Sequence, residues 1–156
     1  MAIGSNSAVW AFGTQDEITV ASPSAVDGDR GISTTSDINT WTNDDDSPLV
    51  AIIVNATYAA VPDSGTLDIY CTLNSVQSTN NEPTMDSAFN GHYLGSVTPD
   101  AVTSSQYLAL SPVALPVVGT SQVYQFYIVN NQGDAAHDIS AGWSMWVTPL
   151  SYQPHA

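Results

Sequence analysis

Residues that interrupt regular secondary structure recur throughout this chain, and their spacing limits the fold more than any other sequence feature. Ser, Thr, Asn, Asp, Gly and Pro separate short segments that are rich in Val, Ile, Thr, Tyr, Phe and Trp. Leu, Glu, Lys, Arg and Gln rarely cluster as they do in helices. Short strands separated by turn signals about every 8–12 residues are typical of all-β folds. The sequence therefore predicts an antiparallel β-sandwich of jelly-roll-like type.

The clearest strand signals begin at residue 49. Residues 49–58 are apolar on both faces at first, which favours a central buried strand. Residues 66–74 alternate between apolar and polar side chains, and Pro, Asp, Ser and Gly at 62–65 form a turn sequence. We therefore predict that these two strands pair as an antiparallel hairpin. Further strands are predicted at residues 8–12, 17–21, 92–97, 106–110, 122–131 and 139–152.

The first third of the chain has a different composition. Residues 22–47 contain few apolar side chains and include the acidic runs at 27–29 and 43–46. This composition predicts a long loop with a short strand at most. We divide the chain into an extended N-terminal arm with short strands, residues 1–47, and a β-sandwich domain, residues 48–156.

The balance of charge excludes several classes of partner. The 156 residues include 15 Asp and Glu but one basic side chain, Arg30, for a net charge of −14. Proteins that bind nucleic acid or anionic membranes need clustered Lys and Arg, so we expect neither partner. Schiff-base lysines and the basic clusters of phosphoryl transfer are missing for the same reason. The first residues lack the basic segment and apolar run of a signal peptide, which predicts a protein made in a cytoplasm.

No residue pattern points to catalysis or to a bound cofactor. His92, His137 and His155 are far apart and form no zinc-binding spacing. Cys71 alternates with apolar neighbours, which favours a packing role over a nucleophilic one. The acidic loops carry oxygen ligands of the kind Ca²⁺ prefers but do not match an EF-hand, so a solvated loop is the preferred interpretation. We expect a protein that is not an enzyme and that uses no cofactor or metal.

Aromatic side chains are the remaining candidates for a functional surface. They are Trp10, Phe12, Trp41, Tyr124, Phe126, Tyr127, Trp143 and Trp146. Alternation requires that some of those on the later strands are core residues. Trp10 and Phe12 in the arm are the preferred contact residues, since Trp and other aromatic side chains are enriched at protein interfaces. We add Trp41 as a third contact residue and Arg30, which lies beside Asp27 and Asp29, as a local electrostatic tie for the arm.

One series of segments resembles a known class of protein. A buried strand is followed by GTLDIY at 65–70, YLGSV at 93–97, LPVV at 115–118 and YQFYIVNNQG at 124–133. This order resembles the small β-sandwich structural proteins of tailed bacteriophage virions. The resemblance covers about two thirds of the chain. It implies a capsid decoration or cement protein that binds the major capsid protein and lies on the virion surface after assembly in the host cytoplasm.

A closed homotrimer on a local three-fold axis is the symmetry expected of such a protein. Three other functions stay open at this stage. The first is a tail component such as a tube, baseplate or fibre module. The second is a carbohydrate-binding β-sandwich module that uses an exposed aromatic face containing Trp41 or Trp146. The third is a halophilic protein, for which an acidic, lysine-free composition is typical.

Overall fold

The computed structural model describes residues 8–18, 30–31, 40–44, 46–73, 91–116, 121–133 and 135–154. These residues form the strands β1 (Ala8–Phe12), β2 (Asp16–Ile18), β3 (Arg30–Gly31), β4 (Thr40–Asn43), β5 (Leu49–Tyr58), β6 (Thr66–Leu73), β7 (His92–Val97), β8 (Gln106–Ala114), β9 (Gln122–Asn131) and β10 (Ile139–Pro154). A 3-10 helix covers Ala135–His137. Within the described ranges no helix is long and apolar enough to cross a membrane.

The strands form two antiparallel sheets. In the first sheet the order is β1-β10-β5-β8, and β2 pairs with β10 on the same side as β1. In the second sheet the order is β3-β9-β6-β7, and β4 pairs with β9 beside β3. Buried side chains of both sheets form a single hydrophobic cluster between them. The predicted all-β fold of two antiparallel sheets is confirmed.

Strict alternation along the central strands explains how the core forms. Every second residue of β5, from Val50 to Tyr58, is buried, while those between them are partly exposed. On β6 the inward residues Leu67, Ile69 and Cys71 are fully buried. Because successive side chains of a strand point to opposite faces, each strand supplies one apolar face to the core. The predicted position of Cys71 on the apolar face of its strand is confirmed.

The predicted hairpin between β5 and β6 is wrong. β5 pairs with β10 and β8 in the first sheet, whereas β6 pairs with β7 and β9 in the second. Residues 59–65 therefore carry the chain from one sheet to the other. The inward residues of both strands belong to the one hydrophobic cluster between the sheets, so the two strands contribute to the core from opposite sides. Turn residues mark a change of direction but do not specify which strands become neighbours.

The described parts of residues 1–47 belong to the two sheets. β1 and β2 extend the first sheet at its β10 edge, and β3 and β4 extend the second at its β9 edge. Residues 1–7, 19–29 and 32–39 lie outside the described part of the chain. The division at residue 47, the extended arm and the jelly-roll-like connectivity remain predictions.

Candidate contact surface

Aromatic side chains lie together on the outer face of the first sheet. The register between β1 and β10 places Trp10 opposite Tyr152 and Phe12 opposite Leu150. The rings of Trp10 and Tyr152 meet edge to face, with centroids 5.4 Å apart. Trp10, Phe12 and Tyr152 are 51%, 67% and 61% exposed, respectively. Such side chains keep a large apolar area in water in the isolated chain.

The same face continues across β5 to β8. Trp146 of β10 lies opposite Ile53 of β5. The ring of Tyr107 on β8 comes within 6.0 Å of the Trp146 ring, measured between centroids, and Tyr107 is 70% exposed. We call this surface the outer aromatic face. One of its aromatic groups, formed by Trp10, Phe12 and Tyr152, lies at the β1 side of the sheet. The other, formed by Trp146 and Tyr107, extends across the sheet to β8.

Charge is sparse on this face. Glu17 lies opposite Trp146 on β2 and is exposed. The other residues that the registers place here are uncharged: Trp10, Phe12, Leu49, Ala51, Ile53, Asn55, Tyr107, Ala109, Ser144, Trp146, Thr148, Leu150 and Tyr152. In a chain with a net charge of −14, such a face can meet a partner with little cost for removing charges from water.

The four predicted contact residues have different positions. Trp10 and Phe12 are exposed, as a contact role requires, and that role remains a prediction. Arg30 pairs through its backbone with Val129 in β3. The side chain of Arg30, together with Asp27 and Asp29, lies outside the described part of the chain. Its role as an electrostatic tie also remains a prediction.

Trp41 occupies the core, unlike the exposed Trp10 and Phe12, and its role as a contact residue remains a prediction. Its side chain is 5% exposed and packs against Tyr124 and Phe126, with ring centroids 6.0 and 6.4 Å away. The indole Nε1 donates a hydrogen bond to Asp16 Oδ2 over 3.0 Å. Trp41 and Asn43 are the inward residues of β4, which explains the burial.

The structure also separates the remaining aromatic candidates. Tyr124, Phe126, Tyr127 and Trp143 are buried, whereas Trp146 is partly exposed. Tyr107 and Tyr152 are exposed residues that the sequence analysis did not select. Tyr152 is separated from Trp146 by an even number of positions, and that spacing is the signal that places both on one face of a strand.

A polar cleft opens at the edge where β2 lies near β4. Its volume is about 230 Å³. The lining residues are Thr14, Asp16, Trp41, Thr42, Asp44 and Pro149. Throughout the described ranges, no group of three or more His, Cys, Asp or Glu side chains is arranged to hold a metal ion. The cleft has two carboxylates, those of Asp16 and Asp44, and Asp16 Oδ2 accepts the hydrogen bond from Trp41.

Cys71 is fully buried between the sheets. Burial raises the pKa of its thiol to about 12, because the charged thiolate loses its hydration there. A thiol acts as a nucleophile only as the thiolate. The packing role expected from its neighbours therefore agrees with its environment.

We expect the Cys71 thiol of the folded protein to resist alkylation at pH 9, where an ordinary thiol with a pKa of about 8.5 is mostly ionised. Iodoacetamide labelling followed by intact mass measurement tests this. Labelling should be at least about 100-fold slower than in urea-unfolded protein, because both ionisation and access are lost. Stoichiometric labelling of protein that retains its circular dichroism spectrum would contradict the buried position.

No protein-family model matches this chain, and no curated protein shows significant sequence similarity to it. Function is therefore inferred from the fold and from the outer surfaces of the two sheets.

Proposed function

We propose that this protein is a non-enzymatic virion structural protein, a capsid decoration or cement protein that binds the major capsid protein and stabilises the head. The observation that carries the proposal is the outer aromatic face, which is apolar and almost uncharged on a strongly acidic chain. The resemblance to small β-sandwich proteins of tailed bacteriophage virions supports the same function. In this proposal the protein lies on the capsid surface.

The strand order supports a jelly roll, which we include in the proposal. If β1 with β2, and β3 with β4, each count as one interrupted strand, the described residues form eight strands in order. The first sheet then has the order 1-8-3-6 and the second has 2-7-4-5. Two successive Greek keys wrapped into two sheets produce this order. Viral capsid proteins and lectins include many domains of this architecture.

The size of the exposed aromatic surface suits an adhesive role. Trp10, Phe12, Tyr107 and Tyr152 are each between 51% and 70% exposed. Together they present about 500 Å², against roughly 800 Å² that each partner buries in a stable interface. Many copies on one particle, each a proposed homotrimer, would add avidity to a modest single contact. Acidic surfaces elsewhere would keep decorated particles apart.

The double variant Trp10→Ser with Phe12→Ser tests this contact. We expect binding to purified heads that lack the protein to weaken at least about 100-fold, because central aromatic anchors each contribute about 2 kcal/mol or more. The measurement is co-sedimentation with heads over a range of protein concentrations. Val102→Ser is the matched control, since Val102 is an exposed apolar residue in the segment between β7 and β8.

Three results would count against the proposal. The first is that the wild-type protein does not bind heads. The second is that the double variant binds heads as tightly as Val102→Ser. The third is that the protein is absent from purified particles. Antibody labelling of intact particles distinguishes a capsid decoration protein from a tail component. Labelling over the whole head is expected, whereas labelling confined to one end would favour a tail component.

A further inference from the structure

The outer face of the second sheet differs from the outer aromatic face. It carries three tyrosines, Tyr70, Tyr93 and Tyr127, which we call the tyrosine platform. Beside them is a polar group formed by Thr66, Asp68, Ser96 and Asn131. The outer faces of the two sheets of a sandwich point in opposite directions. The exposed part of this second surface, at Tyr93, Ser96 and Asn131, therefore stays open to solvent when the outer aromatic face is covered.

The tyrosine platform is rigid. Tyr70 stacks on Tyr127 with ring centroids 5.1 Å apart and an interplanar angle of 5°. Tyr127 is fully buried, and its hydroxyl oxygen accepts a hydrogen bond from the Gly91 backbone N–H at 2.8 Å. Tyr93 packs against Tyr70 at 5.3 Å and is 51% exposed. The exposed Tyr93 ring thus packs beside Tyr70, which in turn stacks on the buried Tyr127.

The polar group beside Tyr93 is held in a fixed arrangement. Asp68 Oδ1 accepts hydrogen bonds from Thr66 Oγ1 at 2.9 Å and from the Ser96 hydroxyl, and Oδ2 accepts one from Asn131 Nδ2 at 2.7 Å. Because Ser96 donates its one hydroxyl hydrogen to Asp68, the Tyr93 hydroxyl donates to Ser96 Oγ. These two hydrogen bonds connect the exposed Tyr93 ring to the Asp68 carboxylate through Ser96. The site needs little rearrangement to bind a ligand.

We propose that this face binds a neutral glycan, with one pyranose ring stacked on Tyr93 and its hydroxyls bonded to Asp68 and Asn131. A pyranose combines an apolar C–H face with a rim of hydroxyls. The apolar face matches an exposed aromatic ring. The sugar hydroxyls can donate hydrogen bonds to the Asp68 carboxylate, and they can donate to or accept from the Asn131 amide. Few but fixed polar groups around an apolar surface are the usual composition of a small-ligand site.

A cationic ligand is the main competitor, since a ring beside a carboxylate also attracts ammonium groups. Two features favour the sugar. Asp68 already accepts three hydrogen bonds from neutral donors, which disperses its charge. The Asn131 amide is a donor as well as an acceptor, and an ammonium ion offers no acceptor to such a group.

Titration of the full chain with cellotriose, maltotriose and N-acetyllactosamine tests the inference. Because the site is shallow, we expect a Kd of about 1 mM and use each sugar up to about 10 mM. Chemical-shift changes in NMR spectra should concentrate on β6 and β7. Tyr93→Ala should weaken binding at least about 10-fold, and Asp68→Asn should weaken it by a similar factor, since each removes a principal contact.

Tyr107→Ala is the matched control, because Tyr107 is an exposed tyrosine on the other sheet. Thermal melts of each variant establish that the fold is intact. Absence of binding for all three sugars, unchanged binding by folded Tyr93→Ala, or binding of choline in their place would each overturn the inference. Tyr93→Ala should still bind heads, and the Trp10 and Phe12 double variant should still bind sugar. These two results distinguish failure of the glycan site from failure of the decoration function.

Discussion

Replacing Trp41 with alanine is expected to lower the free energy of unfolding by about 3–5 kcal/mol, the usual cost of truncating a buried Trp or Phe. The side chain is 5% exposed and packs against Tyr124 and Phe126 of the second sheet. It also reaches Asp16, which belongs to β2 of the first sheet, at 3.0 Å. Trp41 therefore connects the edges of both sheets, and its loss leaves a cavity where they meet.

Urea unfolding followed by circular dichroism measures this change. Asp16→Asn retains the packing and weakens only the hydrogen bond, so it should cost about 1 kcal/mol. Trp10→Ala is the matched control for an exposed tryptophan and should stay within about 0.5 kcal/mol of the wild type. If Trp41→Ala instead kept full stability and abolished head binding, Trp41 would be a contact residue and its buried position would be wrong.

Gly65→Ala should have an effect of comparable size. A Cβ atom at this position would lie 1.9 Å from the Asn131 carbonyl oxygen and 2.6 Å from the Gln132 Cα. Both are backbone atoms beside the pairing of Thr66 with Asn131, so relief of the clash requires that β6 and β9 separate at this end. We expect a loss of at least about 3 kcal/mol, at the upper end of the range for overpacking, or failure to fold.

Gly133→Ala provides the comparison for this prediction. Gly133 has φ of 86° and no atom within 4 Å of an added Cβ. Its substitution should cost only the backbone strain of about 1–2 kcal/mol. Soluble yield and urea midpoints of the two variants distinguish steric overlap from strain. Equal stability of both variants would show that residues 65 and 131 are not in contact.

The near-absence of Lys and Arg limits what can stabilise this fold. Arg30 alone can form an Arg or Lys ion pair with the 15 acidic side chains. Stability must therefore come from apolar strand faces and from backbone hydrogen bonds. The two core predictions test this directly, since one removes apolar volume between the sheets and the other disrupts a strand pairing.

Local chemistry in the sequence was enough to predict the fold class and part of the core. The spacing of turn residues indicated short strands, and alternation placed Cys71 on a buried face with Leu67 and Ile69. Both inferences depend on neighbours in the chain, because side chains of a strand alternate with a period of two. The same period of two places Tyr124 and Phe126 on one face of β9, and both are buried.

Only the tertiary structure decided which strands are neighbours and which aromatic side chains meet water. β5 and β6 are consecutive yet lie in different sheets, and the apolar faces of both sheets meet in one core. Trp10 and Trp41 both precede a small residue in a short strand, but one is exposed and the other buried. Alternation states which residues share a face. Whether that face is buried depends on strands that are distant in the sequence and pack against it. A local sequence pattern does not specify those strands.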